Sequence, residues 1–457
     1  MMRMRQNASA AAEKRETEVP VAVHDDTKNN SDSDGSCRRV FYLCVGVRML
    51  NSLVVQTYFN PDEHWQSLEV AHRLVFGYGH LTWEWKRGIR SYLHPLLFAL
   101  LYKILAFLHL DTPWLMMKAP RLLQSVFAAV CDLYLYKFSN MIFGNQVARW
   151  TCETRRVAEA TSCRAVVFAI TSLLDCMIYG SWVIVPLNFL KFNFLSSGGD
   201  YYGTHPWHWY FTQGFPVMLF TFLPFCVAGV IYSKCWRLSG LIGWVVGMYS
   251  VLGHKEFRFV LPVLPIALMF SGYSLAALKS PDLPMGKSKR ASTTHTKWPS
   301  KLRLAVFFLL ATNIPMGLYM SLVHQRGSED AMHYLAREAL SGEVRSVLFL
   351  TPCHATPYYS ALHQNLPMRF LDCTPSEQRG TPDESDRFLL DPYGFASEFA
   401  KNWSLPSHIV LFDSEEKKLK DFLNSNSFTE VKRFFHSHFK VDRDLQSSIV
   451  VYMYTSW

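Results

Sequence analysis

Charge is what this chain is short of. Asp, Glu, Lys and Arg make up 18% of its 457 residues, against about a quarter in soluble domains. Long apolar blocks alternating with polar ones cause the deficit, and they exclude an ordinary soluble globule. Lys and Arg exceed Asp and Glu by nine, but the excess is spread over short loops. That pattern speaks for membrane topology and against nucleic-acid binding. The ten cysteines include no CxxC pair and no Cys/His ligand spacing, so no metal site is implied. No cleavable signal peptide is visible; residues 1–39 are polar and read as a disordered cytosolic tail.

What is present is a series of apolar blocks near the roughly 20 residues a bilayer-spanning helix needs. They fall at about 40–58, 93–110, 120–143, 165–187, 215–233, 238–253, 259–279 and 302–324. The chain therefore reads as a polytopic α-helical membrane protein, with a transmembrane domain over residues 40–324. Residues 325–457 change composition and read as a small α/β domain. Its strands are expected at Val344–Leu350, Met368–Asp372, His408–Asp413 and Ser448–Tyr454, and its helices at Glu329–Leu340, Pro392–Trp403 and Glu415–Asn424.

Orientation follows from Lys and Arg beside the spans. Arg38 and Arg39 keep the N-terminus cytosolic, and the basic stretch Lys279–Arg303 is cytosolic too. The loop Phe59–Pro95 and the tail are then luminal, in line with the glycosylation triplet Asn402-Trp403-Ser404. Cys353 and Cys373, the tail's two cysteines, could pair in an oxidising lumen. Counting spans from the two ends gives opposite sides for residues 144–164. Either one candidate span does not cross, or an odd number of spans is absent there.

Three polar clusters could carry chemistry. Asn60-Pro61-Asp62-Glu63 reads as an N-cap, a proline at the first helical position and acids in the first turn, with Glu63 at the capping-box position. Trp65, Leu68, Ala71, Val75 and Phe76 then form an apolar stripe suiting a helix on the membrane surface. The same geometry holds two carboxylates where a general base for a membrane-bound acceptor would sit. Trp83, Trp85 and Tyr92 read as an interfacial aromatic belt. So does the run from Gly203 to Tyr210 with His205, Trp207 and His208, although aromatics and His together also grip sugar rings. His254-Lys255-Glu256-Phe257-Arg258-Phe259 concentrates charge at the mouth of a span. It reads either as internally paired or as a cationic site for a lipid-linked phosphate.

Asn60-Pro61-Asp62-Glu63-x-x-Gln66 together with His-Lys-Glu-x-Arg-Phe at 254–259 resembles the dolichyl-phosphate-mannose-dependent mannosyltransferases of glycosyltransferase family 22. The stretches QTYFNPDEHWQSLEVAH, LTWEW, HPWHWYFTQGFP, TPCHATPYYS and MRFLDCTPS are similar, within that family, to the enzymes adding the third, α-1,2-linked mannose to the GPI-anchor precursor. The resemblance implies a GT-C fold in the endoplasmic reticulum membrane, with catalysis and the C-terminal domain luminal. It also implies dolichyl-phosphate mannose as donor, a GPI glycolipid as acceptor and no cofactor. Asp62 is then the expected general base, with Glu63 positioning it or the acceptor. His254, Lys255 and Arg258 would receive the donor phosphate. Gln66, Trp83, Arg90, His205, Trp207 and His208 are expected substrate contacts. The resemblance further implies more hydrophobic spans near 144–164 than this chain has. A sister mannosyltransferase of the N-glycan precursor, or one adding a fourth GPI mannose, would share these motifs. A transporter would instead place charges within its spans and repeat itself inverted.

Overall fold

The computed structural model describes residues 26–144, 153–195, 203–279, 299–375, 381–402, 404–440 and 445–455. Much of the expected tail, most of the basic stretch and Trp403 lie outside these. The chain is mostly helical with one small sheet. Among the described residues, three helices are long and apolar enough to cross a membrane: Pro113–Phe143, Tyr210–Ser233 and the start of Ser300–Leu340. Leu93–Phe107, Val166–Tyr179 and Leu264–Leu278 are apolar but shorter.

The helix of the first apolar block runs over Asp26–Val54, so residues 26–39 are helical rather than disordered. Extending an existing helix costs far less than nucleating one, which explains a polar stretch continuing a span. Arg48 within it makes a two-pronged ion pair with Asp132 on Pro113–Gly144, at 2.7 and 2.8 Å. Each charge thus neutralises the other between two apolar helices. Close approach recurs between Leu223–Ser233 and Leu264–Lys279, where a Cβ on Gly229 would collide with the backbone oxygen of Phe270.

Leu93–Phe107 departs from the expected span. Its 15 residues reach about 22 Å, close to the 16-residue helices Trp236–Val251 and Leu264–Lys279, so its ends rather than its length place it. Its start is held by Asp175, whose carboxylate accepts from Tyr92 N at 2.8 Å. Just past its far end, Asp111 lies 3.4 Å from His363 of the C-terminal domain. Both ends therefore lie at the same end of the bundle, and the helix packs along Glu69–Phe76 through Leu68, Ala71, Phe98 and Tyr102.

The C-terminal domain carries five strands: β1 (Val347–Leu350), β2 (Met368–Phe370), β3 (His408–Phe412), β4 (Phe428–Phe435) and β5 (Ser448–Tyr454). Their order is β2-β1-β3-β5-β4. β1 pairs parallel with β2 and β3, and β5 antiparallel with β3 and β4. The α/β reading holds, with β4 added. FTEVKRFF is charged, mostly exposed and broken by an irregularity at Glu430/Lys432, so its alternation is masked. β1 and β3 are wholly buried, as strands covered on both faces are. Leu348 and Leu350 face one core cluster and Val347 and Phe349 the other, following the two-residue period. Cys353 and Cys373 form a disulfide.

Trp65 belongs to that second cluster. The stripe expected on the membrane surface is instead buried in protein. Trp65 is 1% exposed, donates from Nε1 to Thr356 O at 2.9 Å and stacks on Tyr358 with centroids 5.0 Å apart. A tryptophan whose N–H finds a partner inside protein gains more from burial there than from an interface. The helix that follows Asn60 is thereby bolted to the C-terminal domain.

Candidate active site

The loop after the first span builds the site. Asn60 caps the short turn Pro61–Glu63, its side chain accepting from Asp62 N at 3.2 Å. One π-helical turn, His64–Leu68, follows; such turns are frequent at functional sites. The turn gives Asp62 and Glu63 one wall of a cavity of about 460 Å³. Gln66, Arg90, Ser67 and His94 complete that wall. Gln66 is pinned, donating to Thr82 Oγ1 at 3.1 Å and accepting from Trp85 Nε1 at 2.9 Å. Ser67 and His94 sit 3.0 Å apart.

Arg258 arrives from 196 residues away and pairs directly with Asp62. Arg90 Nη2 lies 3.7 Å from the same carboxylate oxygen and 3.7 Å from Glu84. Arg258 also pairs with Glu256, Nη2 to Oε1 at 2.6 Å, and His254 Nε2 lies 2.9 Å from that oxygen. Burial disfavours the Arg258 charge, but Asp62 and Glu256 outweigh it and raise its pKa. Burial likewise opposes the Glu256 charge and is overcome by His254 and Arg258, so its pKa falls.

The expected residues thus divide. Asp62, Glu63, Gln66 and Arg90 line the cavity, with Arg258 against Asp62 and His254 behind it through Glu256. Lys255 is buried and donates from Nζ to His205 O at 2.9 Å and to Leu252 O; burial lowers its pKa. It ties two loops together. The His205 ring stacks on Trp209, centroids 4.8 Å apart. Trp83 is buried against Phe192 and the Arg87 guanidinium. Trp207 is 70% exposed and His208 sits beside Thr212. Trp83, His205, Trp207 and His208 are not in the cavity lining.

Residue patterns overlooked two supports. Arg121, almost buried, pairs with Glu63 at 3.4 Å and with Glu329 of the C-terminal domain, and donates to Val55 O and Thr57 O. Glu63 thus turns to Arg121 rather than back to its own cap. Asp175 is 2% exposed and fixes Ser91 and Tyr92, while Tyr179 donates to Arg90 O at 2.8 Å. A charge inside an apolar block is itself a functional signal, and both Arg121 and Asp175 carried it. The one His/Cys grouping at metal-holding distance among the described residues is Cys353, His354 and Cys373, and its cysteines are joined to each other.

The Alg9-like mannosyltransferase family model matches residues 39–158 and 153–363, which include every residue of this site. The chain belongs to that family. It is therefore a glycosyltransferase, a membrane protein whose Asp62/Arg258 cavity lies in the matched region. A mannosyltransferase of Arabidopsis thaliana, APTG1, is 54% identical, covering 99% of this chain and 98% of that protein. The proteins named GPI alpha-1,2-mannosyltransferase 3 of mouse and human are 36% and 35% identical over 89% of this chain and 87% and 85% of theirs. The Arabidopsis alignment runs over 544 positions, at least 87 more than the chain's 457 residues. The two pieces of the family match meet at residues 153–158. No solved structure matches the chain.

Proposed function

We propose that this mannosyltransferase moves mannose from dolichyl-phosphate mannose to the 2-hydroxyl of the second mannose of the GPI-anchor precursor, in the endoplasmic reticulum lumen, on a GT-C scaffold. The observation that carries the reading is the pairing of Asp62 with Arg258 at a cavity in a family of mannosyltransferases. The names of the relatives supply the acceptor and the linkage.

At rest, Asp62 is occupied by Arg258. The donor's phosphodiester carries one negative charge shared over two free oxygens, which match the two-pronged Arg258 fork. Donor binding draws Arg258 away and leaves Asp62 free to accept a proton. The acceptor hydroxyl oxygen then attacks C1 of mannose and gives its proton to Asp62, while the C1–O bond breaks and dolichyl phosphate leaves with the electron pair. Attack opposite the leaving group turns the β-linked donor into an α-linked product. Arg258, Arg90 and His254 are preorganised to stabilise charge developing on the departing phosphate.

Sidedness has its own support. The Asp62 loop, the His254–Phe259 loop and the C-terminal domain meet at one end of the bundle. Three of the described helices, Pro113–Phe143, Tyr210–Ser233 and Ser300–Leu340, are long and apolar enough to cross. In the proposed topology Asp26–Val54, Glu153–Tyr179, Trp236–Val251 and Leu264–Lys279 cross as well and Leu93–Phe107 does not. The counts from both ends then agree, with the end of Pro113–Gly144 and the start of Glu153–Tyr179 on the cytosolic side. A stretch of the family's membrane domain missing at that point removes an even number of crossings and leaves every later loop on its proper side. In cells lacking the endogenous enzyme, expression of this chain should relieve accumulation of a GPI precursor with two mannoses. Persistent accumulation, or relief of a defect in the N-glycan precursor instead, would overturn the proposal.

A further inference from the structure

A second cavity, of about 290 Å³, lies across the Pro61–Glu63 turn, in the seam between the catalytic loop and the C-terminal domain. The first cavity is lined by Asp62, Glu63 and Arg90. Among the described residues, the second is lined by no carboxylate, guanidinium or ammonium group. Phe59 and Phe439 edge it, 64% and 63% exposed. Gln325, Gln446, His354 and His436 supply its polar atoms. Burial lowers the pKa of His354, and takes that of His436 down to about 4, so both rings are neutral at luminal pH. His436 Nδ1 and Gln325 Oε1 have no hydrogen-bond partner among the described residues, which is uncommon for buried polar atoms.

Aromatic faces beside neutral amides and imidazoles fit a ligand that is uncharged, has apolar ring faces and carries hydroxyls on its rim. Among the described lining residues, a phosphate or an ammonium group would find no charged side chain in direct contact. The volume is at the lower limit of the roughly 300–1,000 Å³ of small-ligand sites and suits one sugar ring. Pro61 lines this cavity and the next residue, Asp62, lines the other. A glycan seated here presents its neighbouring ring to the base. We propose that the second cavity is a subsite for an uncharged sugar residue of the acceptor, adjacent to the ring that receives mannose. Phe59 and Phe439 cover the ring faces, and Gln325, Gln446 and His436 take the hydroxyls. The acceptor role rests on the function proposed above; the sugar-binding role does not.

Phe439→Ala and Gln446→Ala test this at positions remote from the reacting atoms. The full chain, purified in nanodiscs, is titrated with a soluble mannobioside by saturation-transfer NMR, and donor and acceptor KM are measured on the same samples. Each variant should weaken mannobioside binding and raise acceptor KM about five- to tenfold, the effect of losing one stacked or hydrogen-bonded contact, with donor KM unchanged. Equal binding by wild type and both variants, or no binding by wild type, would overturn the subsite. Mannobioside binding that both variants weaken, in a protein that transfers no mannose to the GPI precursor, would support the subsite and overturn the acceptor assignment.

Discussion

Asp62 and Arg258 form an ion pair, and the proposal that the pair carries the chemistry makes separable predictions. Asp62→Asn keeps the shape of the turn but cannot take a proton, so transfer should fall about 10²–10⁴-fold in a microsomal assay with protein level unchanged. Arg258→Lys keeps the charge but loses the fork to Asp62 and Glu256. Donor binding should weaken by roughly 1.5–3 kcal/mol, the worth of a charged hydrogen bond, read as a higher donor KM. Glu329→Gln acts from the C-terminal domain. It breaks a buried ion pair with Arg121, which costs about 3–5 kcal/mol, and a lower melting temperature should accompany a lower kcat as Arg121 draws harder on Glu63. Asp62, Glu63, Gln66, Arg90 and Arg258 were legible because their motifs are dense and polar. The partners of Arg121 and Glu329 were not: a charge in an apolar block signals that it must be paired but not with what, and Glu329 looks like an acid favouring a helix N-terminus.

At the scale of elements, the site depends on one capped turn followed by one π-helical turn. Asn60→Ala removes the acceptor for Asp62 N and should cost about 1 kcal/mol, visible as faster local hydrogen exchange around Pro61–Glu63. Gly229→Val should disrupt the Leu223–Ser233/Leu264–Lys279 contact and lower the yield of folded protein in detergent. The capping signal was readable in Asn60-Pro61. The destination of the Trp65 stripe was not, since helical periodicity says which face is apolar and nothing about what covers it. Leu93–Phe107 misled for a related reason: an apolar helix packed along protein has the composition of a short span.

Across the whole molecule, the catalytic loop and the C-terminal domain form one buried joint. Burial takes the pKa of His72, His80 and His436 down to about 4. The unfolded chain therefore binds those protons near pH 6.5 and the folded chain only near pH 4, so stability present above 6.5 is lost as pH falls through this window. Glu69 works oppositely. It accepts from His80 N and Ser360 N, and burial pushes its pKa up to about 7, so its contribution is present at low pH and lost between about 4.5 and 7. Three imidazoles outweigh one carboxyl, and thermal melts should move down from pH 7 to pH 5. The membrane part follows the same logic of sides. On the proposed topology, a glycosylation acceptor inserted between Gly144 and Glu153 should remain unmodified, whereas one in the loop after Trp182 should be modified. The central claim is tested most directly by reconstituting the purified chain with radiolabelled dolichyl-phosphate mannose and a GPI precursor bearing two mannoses. The account predicts one added mannose, removable by an α-1,2-mannosidase and absent with Asp62→Asn. Undiminished transfer by Asp62→Asn, or a product resistant to that mannosidase, would contradict it.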